Sequence, residues 1–192
     1  TTTSDFNCAF GQEALEANTT GAANIAIGFR ALEANTTGAN SVAIGAYALD
    51  GATTAGGNSV AIGYLSASGA LASAVVAVGY RALFANTTGA SNTAVGYDAM
   101  VANTTGNYNV AVGGFALDAN TTASYNTAIG AEALEANTHG HENCAIGMQS
   151  LENNTTGTRN NAIGSNALTD NTTGSYNTAL GSYSLRDSST GN

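Results

Sequence analysis

NTAVGYDAMVANTTG, residues 92–106, decides the fold, because near-copies of it fill the 192-residue chain from end to end. Its glycine recurs at Gly11, Gly28, Gly45, Gly63, Gly79, Gly96, Gly113, Gly130, Gly147, Gly164 and Gly181. The intervals are 17 residues throughout except for one 18 and one 16, which cancel and keep the phase. A unit this short cannot bury a face alone, so the copies must stack and share one core. The expected fold is all-β, a parallel β-solenoid of about eleven 17-residue coils forming a single domain over residues 1–192. Function is then to be sought on a surface rather than in a pocket.

Positions are numbered here from the glycine as zero. Positions −3 and −1 hold Ile25 and Ile27, Val42 and Ile44, Val60 and Ile62, Val76 and Val78, Val110 and Val112. Residues two apart share one side of a strand, and β-branched side chains suit a pleated surface. These columns are expected to point inward, Ile44 among them, facing a second apolar column at position +4 that includes Leu32, Leu49, Met100 and Leu117. Between −3 and −1 lies alanine at every level from Ala26 to Ala179. By the same assignment it points outward, small because a neighbouring subunit packs closely against it.

The glycine permits a turn in left-handed backbone geometry. The following Ala-Leu-x-Ala run is too short for a helix that must share 17 residues with a strand and two turns. Asn-Thr-Thr-Gly closes the coil, for example at 35–38, 103–106 and 154–157, and stacked asparagines are expected to form an amide ladder. These tetrapeptides are also glycosylation acceptor sequences, but a structural turn accounts for their presence in coil after coil. The stretch 51–74 breaks the pattern, with Leu65 two residues after its glycine rather than four, and reads as a bulge or altered turn.

Composition narrows the partners. Only 9% of residues are charged, the net charge is −9, there is no lysine, and the cations are Arg30, Arg81, Arg159 and Arg186. This argues against nucleic acid, whose phosphates need clustered cations. No apolar run approaches the ~20 residues of a membrane-spanning helix, and no leader-like segment opens the sequence. Cys8 and Cys144 share one phase eight coils apart, roughly 38 Å at the usual strand spacing, so they cannot bridge within the chain. They read as buried free thiols.

No catalytic, cofactor-binding or metal site is expected. His139 and His141 lack partners at metal-ligand spacing and read as surface residues. Glu16, Glu33, Asp50, Asp118, Glu135 and Glu152 recur at +5, where stacked like charges repel and screening or a bound cation would relieve them. Thr88, Thr105 and Thr156, with Tyr108, Tyr125 and Tyr176, are expected to be exposed and are the candidates for contacting ice or glycan.

The motifs at 40–45 and 58–63, Asn-Ser-Val-Ala-Ile-Gly, resemble the head repeat of trimeric autotransporter adhesins, although the coil here is longer. The form at 92–106 is similar to repeat shafts of phage tail-fibre-like proteins. The resemblance covers nearly the whole chain. It implies a left-handed β-roll, assembly as a homotrimer, and a place on a cell or virion surface. On this reading the protein is not an enzyme but an extracellular fibre or filament subunit, a rigid shaft for adhesion, without cofactors. The alternatives are a repetitive ice- or glycan-binding surface and a receptor-binding tail-fibre segment. The two ends stop in the same phase of the repeat, which is expected either of a piece of a longer shaft or of chains that stack head to tail into filaments.

Overall fold

A computed structural model describes residues 5–51, 57–69 and 74–187. Eleven three-residue strands run from β1 (Cys8–Phe10) through β3 (Val42–Ile44) and β7 (Val110–Val112) to β11 (Thr178–Leu180). All are parallel and pair strictly with their sequence neighbours in one sheet. Pairing puts Ala26 on Ala43 and Ile27 on Ile44, so each column of the repeat becomes a column in space. The chain is a parallel β-solenoid with one coil per repeat, and no helix occurs among the described residues.

The facing of the strands is the reverse of the sequence expectation. Ala26, Ala43, Ala61, Ala77, Ala94, Ala111, Ala128, Ala145 and Ala162 are fully buried, and the Ile and Val residues on either side point outward. Ile27 keeps 36% of its surface exposed and Ile163 42%. The cause is volume. The coil's interior also receives the +4 column, Leu32 to Leu168, and a row of alanines and serines at +3, Ala48, Ser66 and Ala116 among them, all buried. That leaves room at −2 for a methyl group only. Cys8 and Cys144 follow the −3 column outward, so the expectation of buried thiols is also corrected: Cys8 is exposed and Cys144 half-buried.

The turn after each strand depends on the glycine. Its φ is +132° at Gly28 and +138° at Gly130, outside the range open to other residues. A Cβ on Gly28 would also lie 2.6 Å from the Gly45 carbonyl of the next coil. Beyond the glycine, Arg30 and Leu32 both take left-handed φ, 58° and 53°, and the equivalent residues of other coils do likewise. Each such residue costs about 1–2 kcal/mol. The geometry aims successive amides in opposite directions along the stack: Arg30 N–H donates to the Gln12 carbonyl of the preceding coil, and Leu32 N–H to Ala48 of the following one. The turn therefore joins the hydrogen-bond ladder without being a strand.

Two columns of buried asparagine complete the interior. At the Asn-Thr-Thr-Gly corner, Nδ2 of Asn35 donates to Oδ1 of Asn18 at 2.9 Å. A second run of the ladder, beyond Gly69, goes from Asn103 to Asn86, Asn120 to Asn103, Asn137 to Asn120, Asn154 to Asn137 and Asn171 to Asn154. This is the expected ladder. The second column, at −4, was not anticipated. There Oδ1 of Asn92, Asn109, Asn126 and Asn143 accepts from the backbone N–H of the next coil, and Nδ2 donates to that coil's turn carbonyl, as from Asn109 to Ala123 at 2.9 Å.

In the irregular region Leu65 sits outside at +2 while Ala67 takes the buried leucine position, and Val75 replaces the −4 asparagine. The remainder of that stretch, 52–56 and 70–73, lies outside the described residues, as do the end segments 1–4 and 188–192 on which the expected head-to-tail contact falls.

Candidate functional site

Period-two alternation carries through the strand, so −5, −3, −1 and +1 flank one outward face, while −4, −2 and 0 turn inward. The centre of this face is aliphatic: Ile27, Ile62, Val112, Ile129, Ile146 and Ile163 at −1 are all exposed. Column −3 is mixed, with Val60, Val110, Thr127, Cys144 and Asn161. Two aromatic rows border it. Along the +1 edge, Phe29, Tyr47, Tyr64, Tyr80, Tyr97 and Phe115 form a continuous ladder with ring centroids 5.0–6.0 Å apart. Tyr47 and Phe115 reach it from position +2. Along the −5 edge, Tyr108 and Tyr125 stack at 5.2 Å, and Arg159 lies over Tyr176 and pairs with Glu142 at 2.8 Å.

The stacking has a chemical consequence. Tyr64, Tyr80 and Tyr97 lie face to face, with interplanar angles of 16° and 11°, so they present ring edges to solvent. A sugar packs its C–H groups on an aromatic face, and these faces are occupied by one another. The exposed tyrosines anticipated from sequence, Tyr108, Tyr125 and Tyr176, are exposed. The longer +1 ladder was missed, although Gly-Tyr at 63–64, 79–80 and 96–97 announced it.

The carboxylate column lies on another side of the coil. Asp118, Glu135 and Glu152 line a hollow of about 250 Å³ with Ala119, Ala136 and Asn153. Burial pushes the Asp118, Glu135 and Glu152 carboxyls above their ordinary values. Asp98 adds to the rise at Asp118, against Arg81; Glu132 adds to it at Glu135 and Glu152. Carboxylate oxygens of Glu132, Glu135 and Glu152 come within 4.8 Å of one another, as do those of Glu13, Glu16 and Glu33. In the second group Arg30 offsets part of the charge, 2.6 Å from Glu13 and 3.3 Å from Glu33. In the first group Glu132 accepts a bond from Gln149. His139 and His141 are exposed.

The threonine corner splits in two. The first threonine is tied to the stack: Thr87 Oγ1 donates to the Thr104 carbonyl and Thr104 Oγ1 to that of Thr121, both at 2.9 Å. The second, Thr88, Thr105, Thr122 and Thr156, is exposed.

Comparison with protein-family models, curated proteins and solved structures gives no match.

Proposed function

We propose that this chain is a structural segment of an extracellular fibre, a rigid, non-catalytic rod for surface attachment whose copies self-associate by burying the Ile/Val face. The observation that carries the reading is the exposure of that face. It repeats on strand after strand, and at roughly 20 by 50 Å it offers about 1,000 Å² per copy. A stable interface takes about 800 Å² from each partner. The resemblance to trimeric adhesin heads supports three copies.

Sedimentation of the purified chain, with electron microscopy of the native material, tests this. The expected result is a defined oligomer seen as rods about 50 Å long per chain, by the usual strand spacing. A monodisperse monomer at high concentration overturns the reading.

The exposed threonine column favours ice binding as a second reading, with a pitch of about 4.8 Å. The column is one residue wide, because its neighbour is spent on backbone bonds. Absence of ice-crystal shaping by the unmodified protein removes it.

A further inference from the structure

The two edges of the sheet face are complementary in size, coil by coil. On the +1 edge the bulky residues are Phe29, Tyr64, Tyr80 and Tyr97, and at −5 in those same coils stand Ala23, Asn58, Ala74 and Ser91. After Gly96 the pattern inverts: Tyr108, Tyr125, Arg159 and Tyr176 occupy −5, while Gly114, Ala131, Ser165 and Ser182 occupy +1. The exceptions are the coils of Gly11 and Gly147, with Phe6 and Gln12 and with Glu142 and Met148, and the changeover coil of Gly113, where Phe115 reaches the +1 row from +2 while Tyr108 stands at −5.

Nothing inside one chain requires this. Positions −5 and +1 lie at opposite ends of the strand, roughly 20 Å apart along extended chain, and the ring contacts run along each edge, never across the face. Backbone geometry does not select the small residues either. Ser91 and Tyr108 share the same left-handed conformation, φ 57° and 56°, so position −5 accepts a large side chain.

We infer that a second copy supplies the missing partner: the +1 edge of one chain seats against the −5 edge of the next, parallel and in register, with large side chains filling the space left by small ones. The inference rests on the self-associating face proposed above and adds its polarity, register and contacts. Copies related by rotation about an axis along the rod bring opposite edges together at equal height, an interface that closes into a ring. An antiparallel pair would set each edge against itself and could match sizes about one centre only, between Gly96 and Gly113. There it would press Tyr97 of one copy toward Phe115 of the other.

Cross-linking distinguishes the arrangements. With Cys8 and Cys144 replaced by Ser, chains carrying Ser91→Cys are mixed with chains carrying Tyr97→Cys and oxidised. The parallel ring predicts mixed dimers between the two variants and few dimers within either. Dominant pairing of Tyr97→Cys chains with themselves overturns the inference while leaving the self-association reading intact; a wild type that stays monomeric overturns both. A swap supplies the second measurement. Ser91→Tyr alone is expected to weaken association about tenfold by overpacking. Adding Tyr97→Ala, which makes the coil resemble that of Tyr125 and Ala131, restores it. A double variant no better than Ser91→Tyr counts against the inference.

Discussion

The asparagine corner and the sheet face invert the usual placement of polar and apolar groups. Asn86, Asn103 and Asn120 are fully buried, whereas Ile27, Ile62 and Ile129 stand in solvent. Asn103 donates to the amide oxygen below it and accepts from the amide above, so burial leaves few of its bonds unmade. The isoleucines have nowhere to go, because the +4 leucines and two rows of alanine and serine already fill the coil. In a narrow solenoid, then, side-chain volume and hydrogen-bond supply decide what is inside, and hydropathy decides what the outside is for.

Two substitutions to the same residue sharpen that contrast most. Leu117→Asp places a carboxylate among buried leucines and alanines, costs roughly 5 kcal/mol or more, and is expected to abolish the cooperative melt followed by circular dichroism. Ile44→Asp puts the same charge on the open face. Its monomer should melt within about 1 kcal/mol of wild type, while the oligomer seen by sedimentation is lost. Equal unfolding by both would return Ile44 to the core.

A smaller effect is expected at the corner. Asn120→Ala removes the donor to Asn103 and to the Ala123 carbonyl and takes from Asn137 one of its two acceptors, leaving the Gly140 carbonyl. The loss should be about 3 kcal/mol, read by chemical denaturation against the exposed control Thr122→Ala. A difference below about 0.5 kcal/mol would mean that the ladder is ornamental.

The smallest effect concerns pH. The carboxyls of Asp118, Glu135 and Glu152 are raised in the fold, so between their ordinary and raised values the native state holds more protons than the unfolded chain, and stability falls as pH rises. Lowering pH from about 7 to about 5 should raise the melting temperature slightly. Glu135→Gln should flatten that dependence and gain about 1 °C at neutral pH, a modest figure because these groups remain partly solvated. A melting temperature that rises with pH across this interval would contradict the assignment.

The coil length, the strands, the glycine turn and the corner ladder were legible in the sequence because a strict period fixes them without knowledge of direction. Strand facing was not. Alternation separates two faces but does not say which is inner, and choosing by hydropathy put Ile44 inside. The better signal was constancy: position −2 is alanine from Ala26 to Ala179, whereas −3 accepts Val110, Thr127, Cys144 and Asn161. A crowded interior tolerates one size, and a surface tolerates four chemistries. The −4 asparagines were equally regular, but their role depends on a carbonyl 14 residues further on, as from Asn92 to Gly106, a separation that only the closed coil brings within reach.

The 17-residue step of the corner ladder also sets how the rod answers tension. A stacked coil contributes about 4.8 Å of height, but its backbone, once released, spans roughly 55 Å. Pulled along its axis, the rod yields by shedding coils from an end, each adding more than ten times its own height as slack while no covalent bond breaks. The same register that holds the coils stacked at rest makes the solenoid extensible under strain.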